Sequence, residues 1–211
     1  MCGIFGYLGY REAQPLVIEG LSRLAYRGYD SAGIAIIDSN GSIGVRKAAG
    51  KIENLVSFAS KSPLSGVTGV GHTRWATHGE PTDTNAHPHL DGSGKIVVVH
   101  NGIVENYAEL KARLIAKGHA FTSVTDTEVI PHLIQDLIAT GYTFRESVRI
   151  AASQLHGAHA IACLDANNPE EMVALRIGHA GGVSIGHGEG EMFLASDLPA
   201  LLPNATTVTN L

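Results

Sequence analysis

The chain opens MCGIFGYLG, with one of its two cysteines directly after the initiator methionine. A thiol there is either a tail residue of no consequence or, with Met1 removed, an N-terminal residue carrying both a nucleophile and a free amine. Further along, GHTRWATHGEP at 71–81 packs Arg74, the only tryptophan Trp75, Thr77 and His78 into a few positions after a strand-like run. Polar and aromatic groups gathered on a loop at a sheet edge suit a binding site, although a solvated loop with Trp75 as a hydrophobic plug has the same composition. The planar fork of Arg74 beside hydroxyl and imidazole donors would suit an anionic group such as a carboxylate.

Asn101 and Gly102 follow the apolar run VVVH. They form either a turn or a pair of donors, the side-chain amide and the backbone N–H, aimed at one point as an oxyanion requires. In TSVTDTEV, Thr125 and Glu128 have the spacing of a capping box, and Asp126 then falls in the first helical turn, where the helix dipole alone favours an acid. Eleven histidines raise a metal hypothesis. Yet His72, His78, His87, His89 and His100 show neither HExxH nor Cys/His zinc spacing, and backbone or carboxylate hydrogen bonds would satisfy most of them. No metal or cofactor is expected.

The elements that must hold these groups are readable in outline. At 211 residues, 44% hydrophobic and 17% charged, the sequence has the material for one sizeable core. A net charge of −5 without long basic runs argues against a nucleic-acid partner. The absence of a long apolar stretch or signal peptide argues against a membrane, so a soluble, cytoplasmic protein is expected. Cys163, in the apolar run AHAIACLDA, reads as a buried reduced thiol. Strands are expected over Gly3–Gly9, Gly66–His72 and Lys95–His100 and in AHAIACL, MVALRI and MFLAS. Helices are expected over Glu12–Leu24, Glu105–Lys117, Thr127–Ile138 and about Phe144–Leu155. Pro131 requires a kink or a later start in the third of these helices. AGIAIID and SIGVRKA flank an Asn-Gly turn and read as a hairpin. No linker or repeat divides residues 2–211, and the pattern is that of a single α+β domain with layered antiparallel sheets. NATTVTNL looks like a strand just begun, so the expectation is a piece of a longer protein.

In order, the CGI start, YRGYDSAG at 26–33, HTRWATHGEP, NAHPH, HNGIVEN and TDTEV closely resemble one family. It is the glutaminase domain of glutamine-dependent glucosamine-6-phosphate synthases (glutamine–fructose-6-phosphate aminotransferases), among the N-terminal-nucleophile, class II amidotransferases. The resemblance runs from Cys2 to about Pro203. It implies a four-layer αββα sandwich, removal of Met1, and attack of the Cys2 thiol on the side-chain amide of L-glutamine with its own α-amino group as base. An amine of pKa about 7.7–8.0 and a thiol of about 8.5 are well matched for that exchange. By the same resemblance Asn101 and Gly102 would stabilise the oxyanion and Arg74 would hold the α-carboxylate, with Thr77 and His78 lining that end. Asp126 would pair with the ammonium, and Trp75 would cover the substrate and guard the ammonia exit. Arg27, Tyr29 and His87 match family motifs as possible support near the nucleophile loop.

Two departures qualify the match. The family's sugar-isomerase domains, which bind fructose 6-phosphate and suggest a homodimer when full length, are not in these 211 residues. RIGHAGGVSIG, 176–186, also differs from the family's usual version, which puts outer-strand packing or the partner-domain contact in question but not the glutamine pocket. Competing readings are a non-catalytic glutamine sensor on the same fold, the glutaminase domain of another class II amidotransferase, and a histidine-rich metal protein.

Overall fold

The computed structural model describes residues 2–211; the expected loss of Met1 lies outside them. Among the described residues eleven strands form two sheets, and every pairing is antiparallel. The strands are β1 (Gly3–Leu8), β2 (Ser31–Ile37), β3 (Ile43–Ala49), β4 (Thr68–Arg74), β5 (His89–Leu90), β6 (Ile96–Gly102), β7 (His159–Asp165), β8 (Met172–Ile177), β9 (Ser184–His187), β10 (Met192–Ala195) and β11 (Thr207–Asn210). The larger sheet has the order β11-β9-β10-β1-β4-β2-β3 and the smaller β5-β6-β7-β8. The helices are α1 (Ala13–Leu24), α2 (Ile52–Lys61), α3 (Tyr107–Ala116), α4 (Val129–Ala139) and α5 (Phe144–Ser153).

Strand alternation explains the layering, because successive side chains on a strand point to opposite faces. Phe5 and Tyr7 of β1 pack with Val17, Leu21 and Leu24 of α1 and Leu55 of α2. Ile4 faces the other way and meets Val70, Val97, Val99, Ala160 and Leu164 between the sheets. On the far side Ile96, Val98, Ile161 and Cys163 pack under Leu114 of α3, Ile130 and Ile134 of α4 and Val148 of α5. Three apolar layers separate four layers of structure, the αββα sandwich. No helix among the described residues is long and apolar enough to cross a membrane.

Several expectations need correction. The segment after residue 50 contains α2, whose Ile52, Leu55 and Ala59 are buried one helical turn or two apart. β9 is likewise additional, and short enough that its four residues carry no periodicity. The hairpin is present, with its Asn-Gly pair in a five-residue loop from Asp38 to Ser42 and Gly41 at φ 69°. β4 runs to Arg74 and lies between β1 and β2, so the Arg74 segment leaves the middle of a sheet rather than its edge. β6 includes Asn101 and Gly102, which pair with Ala160 and His159 and so are not a turn. α4 begins at Val129, which puts Pro131 in its first turn, where it costs no intrahelical hydrogen bond. Asp126 therefore precedes the helix. The Thr125–Glu128 pair is no capping box. Glu128 accepts from the backbone N–H groups of Thr122 and Ser123, while a real capping box joins Thr143 and Glu146 at α5.

Candidate active site

The same alternation that builds the core assembles the site. Cys2 precedes Ile4 by two residues, His72 and Arg74 follow Val70 by two and four, and Asn101 follows Val99 by two. Ile4, Val70 and Val99 all belong to the layer between the sheets, so the four polar residues project toward that layer where the strands end. Trp75 donates its backbone N–H to Cys2 Sγ at 3.1 Å, and its carbonyl lies 3.7 Å from the same sulfur. Across the layer, Asn101 Nδ2 is 3.4 Å from the Cys2 carbonyl oxygen. Burial pushes the Cys2 thiol up, and the Trp75 N–H offsets part of that rise. A resting thiol rather than a thiolate follows, so a base must take its proton when it reacts.

A cavity of about 400 Å³ opens over the thiol, lined by Cys2, Arg27, Trp75, Thr77, Asn101, Gly102, Ile103 and Ala180. Two larger cavities, about 530 and 540 Å³, flank β8 and are walled mainly by aliphatic side chains such as Val173, Ala174, Leu194 and Leu175. Neither has a cysteine on its wall, so the smaller one, with Cys2, Asn101 and Gly102 together, is the candidate site. Its indole wall is 55% exposed, which rules out the hydrophobic plug. The ring rests instead over Gly28, where a Cβ would come within 3.6 Å.

Arg74 is buried under the loop that follows it. Its guanidinium donates to the carbonyl oxygens of His78, Gly79 (3.2 Å) and Glu80 (3.5 Å). Three of its five N–H groups are thus directed at the loop, and Arg74, 4% exposed, is not on the cavity wall. Asp30 holds the other end of the same loop by accepting from the Ala76 N–H at 2.6 Å. His78 sits with its ring edge-on to Tyr107 and does not line the cavity. Asp126, 4% exposed, accepts from the Val104 N–H at 2.7 Å with Oδ2, two residues beyond Gly102.

The supporting residues separate. Arg27 forms part of the cavity wall and is tied to the Ser196 carbonyl and to Asp197, both at 3.3 Å. Tyr29 is scaffold, its hydroxyl accepting from the Ile52 N–H at the start of α2. His87 is buried against His72, with ring centroids 4.2 Å apart, so it supports the site at one remove. Three contacts tie histidines to one another or to hydroxyls: His100 Nδ1 meets Thr127 Oγ1 at 2.8 Å, His100 Nε2 meets His159 Nδ1 at 3.0 Å, and His89 Nε2 meets Thr125 Oγ1 at 3.1 Å. Among the described residues no group of three or more His, Cys, Asp or Glu has the arrangement of a metal centre.

Sequence reasoning missed Ile103 and Ala180. Ala180 comes from the divergent segment 176–186, so that segment does touch the pocket, contrary to expectation. A Cβ on neighbouring Gly181 would lie 3.9 Å from Asn101 Nδ2. No local pattern in a connection between β8 and β9 marks it as a cavity wall.

A cysteine at a strand mouth, sharing a cavity with the strand end that carries Asn101 and Gly102 across a sandwich of antiparallel sheets, is the architecture of an N-terminal-nucleophile type of amidotransferase. Residues 72–203, more than half of the chain, match the glutamine amidotransferase domain family, and the chain belongs to that family. Similar curated relatives are glutamine–fructose-6-phosphate aminotransferases (isomerizing). That of Pyrococcus horikoshii is 52% identical over 202 residues, covering 96% of this chain and 33% of the relative. That of Gluconobacter oxydans is 48% identical over 211 residues, covering 100% and 34%. The chain spans about a third of the length of these relatives. Among solved structures, a glutamine phosphoribosylpyrophosphate amidotransferase from B. subtilis complexed with ADP and GMP superposes with a TM-score of 0.82 at 28% identity, over 100% of this chain and 44% of that one. A class-II glutamine aminotransferase domain protein from Silicibacter pomeroyi shares the fold, with a TM-score of 0.63 at 15% identity over 100% of this chain and 91% of that one.

Proposed function

We propose that residues 2–211 form one glutaminase domain that hydrolyses L-glutamine to glutamate and ammonia, and that the ammonia serves glucosamine 6-phosphate synthesis from fructose 6-phosphate in a longer protein. After loss of Met1, the α-amino group of Cys2 takes the thiol proton as Sγ bonds to the side-chain amide carbon of glutamine. The oxyanion so formed accepts from Asn101 Nδ2 and the Gly102 N–H; removing one such donor typically costs about 3–4 kcal/mol of barrier. Collapse returns the proton to the leaving nitrogen, breaks the C–N bond and leaves a γ-glutamyl thioester. Water then attacks the thioester, releasing glutamate and restoring the thiol.

Substrate choice follows from charge. Glutamine carries an α-carboxylate and an α-ammonium, and the reading pairs these with Arg74 and Asp126, so simple amides lose both contacts. Thr77 flanks the carboxylate end with His78 outside the cavity wall, Trp75 covers the bound amino acid, and no cofactor takes part. The sugar-isomerase domains, a homodimer of the whole protein and a cytoplasmic setting for the two reduced cysteines complete the reading.

The observation that carries it is the placement of the Cys2 thiol and the Asn101–Gly102 strand end around one cavity. A non-catalytic glutamine sensor requires only a pocket and has no use for a thiol there. Glutamate release by the purified protein separates the two. Turnover that vanishes in Cys2→Ala while glutamine still binds supports the enzyme, and binding without turnover in the unsubstituted protein supports the sensor.

A further inference from the structure

His72 is fully buried in the middle of the sandwich, beside the strand end that carries Asn101. Its Nε2 lies 2.9 Å from Asn101 Oδ1, and its Nδ1 has no hydrogen-bond partner among the described residues. The ring stacks on His87 at an interplanar angle of 21°.

The chemistry of the neighbours fixes which atom is which. At one end the Asn101 carboxamide faces the Cys2 carbonyl oxygen at 3.4 Å. A carbonyl only accepts, so the amide nitrogen must lie at that end and Oδ1 at the other. Oδ1 in turn only accepts, so His72 Nε2 must carry a hydrogen. An imidazolium would also supply one, but burial, reinforced by Arg74, brings His72 down to about 4 against the smaller pull of Asn101. His87, stacked on it, is likewise held well below its ordinary value, first by burial and then by His72. The neutral Nε2–H tautomer is the one consistent with these contacts.

We propose that His72 is the positioning residue of the oxyanion site: as a neutral Nε2–H donor it locks the Asn101 carboxamide with its nitrogen toward Cys2, so that the donor is aimed before substrate arrives. Without that lock the amide can turn over and present Oδ1, which would repel the developing oxyanion. Preorganised donors stabilise a transition state because they need no rearrangement as charge develops. The inference rests on the reading of Asn101 as an oxyanion donor.

The test is steady-state glutaminase kinetics on the complete natural protein with His72→Phe, His72→Gln, Asn101→Ala and the His72→Phe/Asn101→Ala double variant. His72→Phe should lower kcat roughly 10- to 100-fold with KM within about twofold, a share of the loss from removing the donor outright. His72→Gln, whose side-chain nitrogen reaches the place of Nε2, should recover most of it. In the Asn101→Ala background His72→Phe should cost nothing more, because the group it positions is gone. An unchanged kcat in His72→Phe, or an equal loss in both backgrounds, overturns the positioning role. If Asn101→Ala itself retains full kcat, the oxyanion reading fails instead, and the two failures are told apart. Should His72→Phe not fold, ¹⁵N-detected ring correlations on the unsubstituted protein decide: Nε2–H at pH 7 is expected, and Nδ1–H or an imidazolium contradicts the proposal.

Discussion

Asn101 reaches the backbone oxygen of Cys2 with its side-chain nitrogen, 3.4 Å away, across the interface of two sheets that share no hydrogen-bonded strand. Cys2 leads into β1 of the seven-stranded sheet, and Asn101 lies in β6 of the four-stranded one. The active site is therefore a product of sheet packing, and its geometry is as rigid as the apolar layer of Ile4, Val70 and Val99 beneath it.

Replacing the Asn101 amide tests the donor alone. Asn101→Ala should lower kcat roughly 10²- to 10³-fold with KM changed only a few-fold, because the contact to oxygen strengthens as the oxyanion forms. Asn101→Asp should be at least as damaging, since it sets an acceptor against the developing charge. Initial-rate measurements of ammonia release check both, and a rise confined to KM would place Asn101 in substrate binding instead.

Arg74 supports three loop carbonyls and carries, in the proposed function, a ligand contact as well. Arg74→Ala should raise KM for glutamine roughly 10- to 100-fold through the lost carboxylate pair. It should also make the 75–80 loop more sensitive to limited proteolysis, because the buried fork that holds it is gone. Arg74→Lys should not restore the loop, since one ammonium cannot reproduce the planar fork. Unaltered proteolysis with raised KM would leave the ligand contact as the only role.

Among the buried histidines, His72, His87, His89 and His100 make the fold acid-sensitive. Burial brings His72 to about 4 and holds His87, His89 and His100 well below 6.5. His72 faces Asn101 and Arg74; His87 faces His72, His89, His100 and Arg74; His89 faces Lys47, Glu128 and Arg74; and His100 faces His159, His72 and His89. The unfolded chain, with histidines near ~6.5, then binds more protons than the folded one between that pH and the folded values, so stability is complete above about pH 6.5 and falls as pH drops toward 4. Each fully shifted histidine contributes a slope of about 1.4 kcal/mol per pH unit. Urea midpoints measured from pH 8 to 4.5 should fall steeply below about 6.5; a flat profile down to pH 5 would be inconsistent with neutral buried rings.

Gly102 is needed for its backbone conformation, beyond the N–H donor proposed for it. It sits at φ 139°, and a Cβ there would meet the Ala158 carbonyl oxygen at 2.3 Å and His100 Nε2 at 2.7 Å. Gly102→Ala should destabilise by about 1–3 kcal/mol and remove most turnover by shifting the donor. Thermal melting and kcat on the same sample check both effects. A stable, fully active Gly102→Ala would deny the strand end its assigned conformation.

Much of this was legible in the residues and some was not. Long elements with strong periodicity were readable because their burial pattern is written in the apolar spacing: β1, α1, β7 and the buried face of α4 fall within two residues of expectation. The placement of Cys2, His72, Arg74 and Asn101 on inner faces follows from period-two alternation, yet becomes visible only once the neighbouring Ile4, Val70 and Val99 are known to face the other sheet. The Thr125–Glu128 spacing misled because Glu128 serves a preceding turn, an alternative use of the same acid that local sequence does not distinguish. The roles of Ala180 and of the His72 ring depend on contacts between segments 79 and 29 residues or more from Asn101, and no local pattern reports such distances.

The most direct measurement of the central claim is intact and peptide mass spectrometry of the protein after exposure to an electrophilic glutamine analogue, 6-diazo-5-oxo-L-norleucine. One adduct per chain, carried by the sulfur of a residue-2 cysteine that has lost Met1 and has a free amine, is the predicted result. An adduct on another residue, or full glutaminase turnover by a chain whose amino terminus is blocked, would contradict the account.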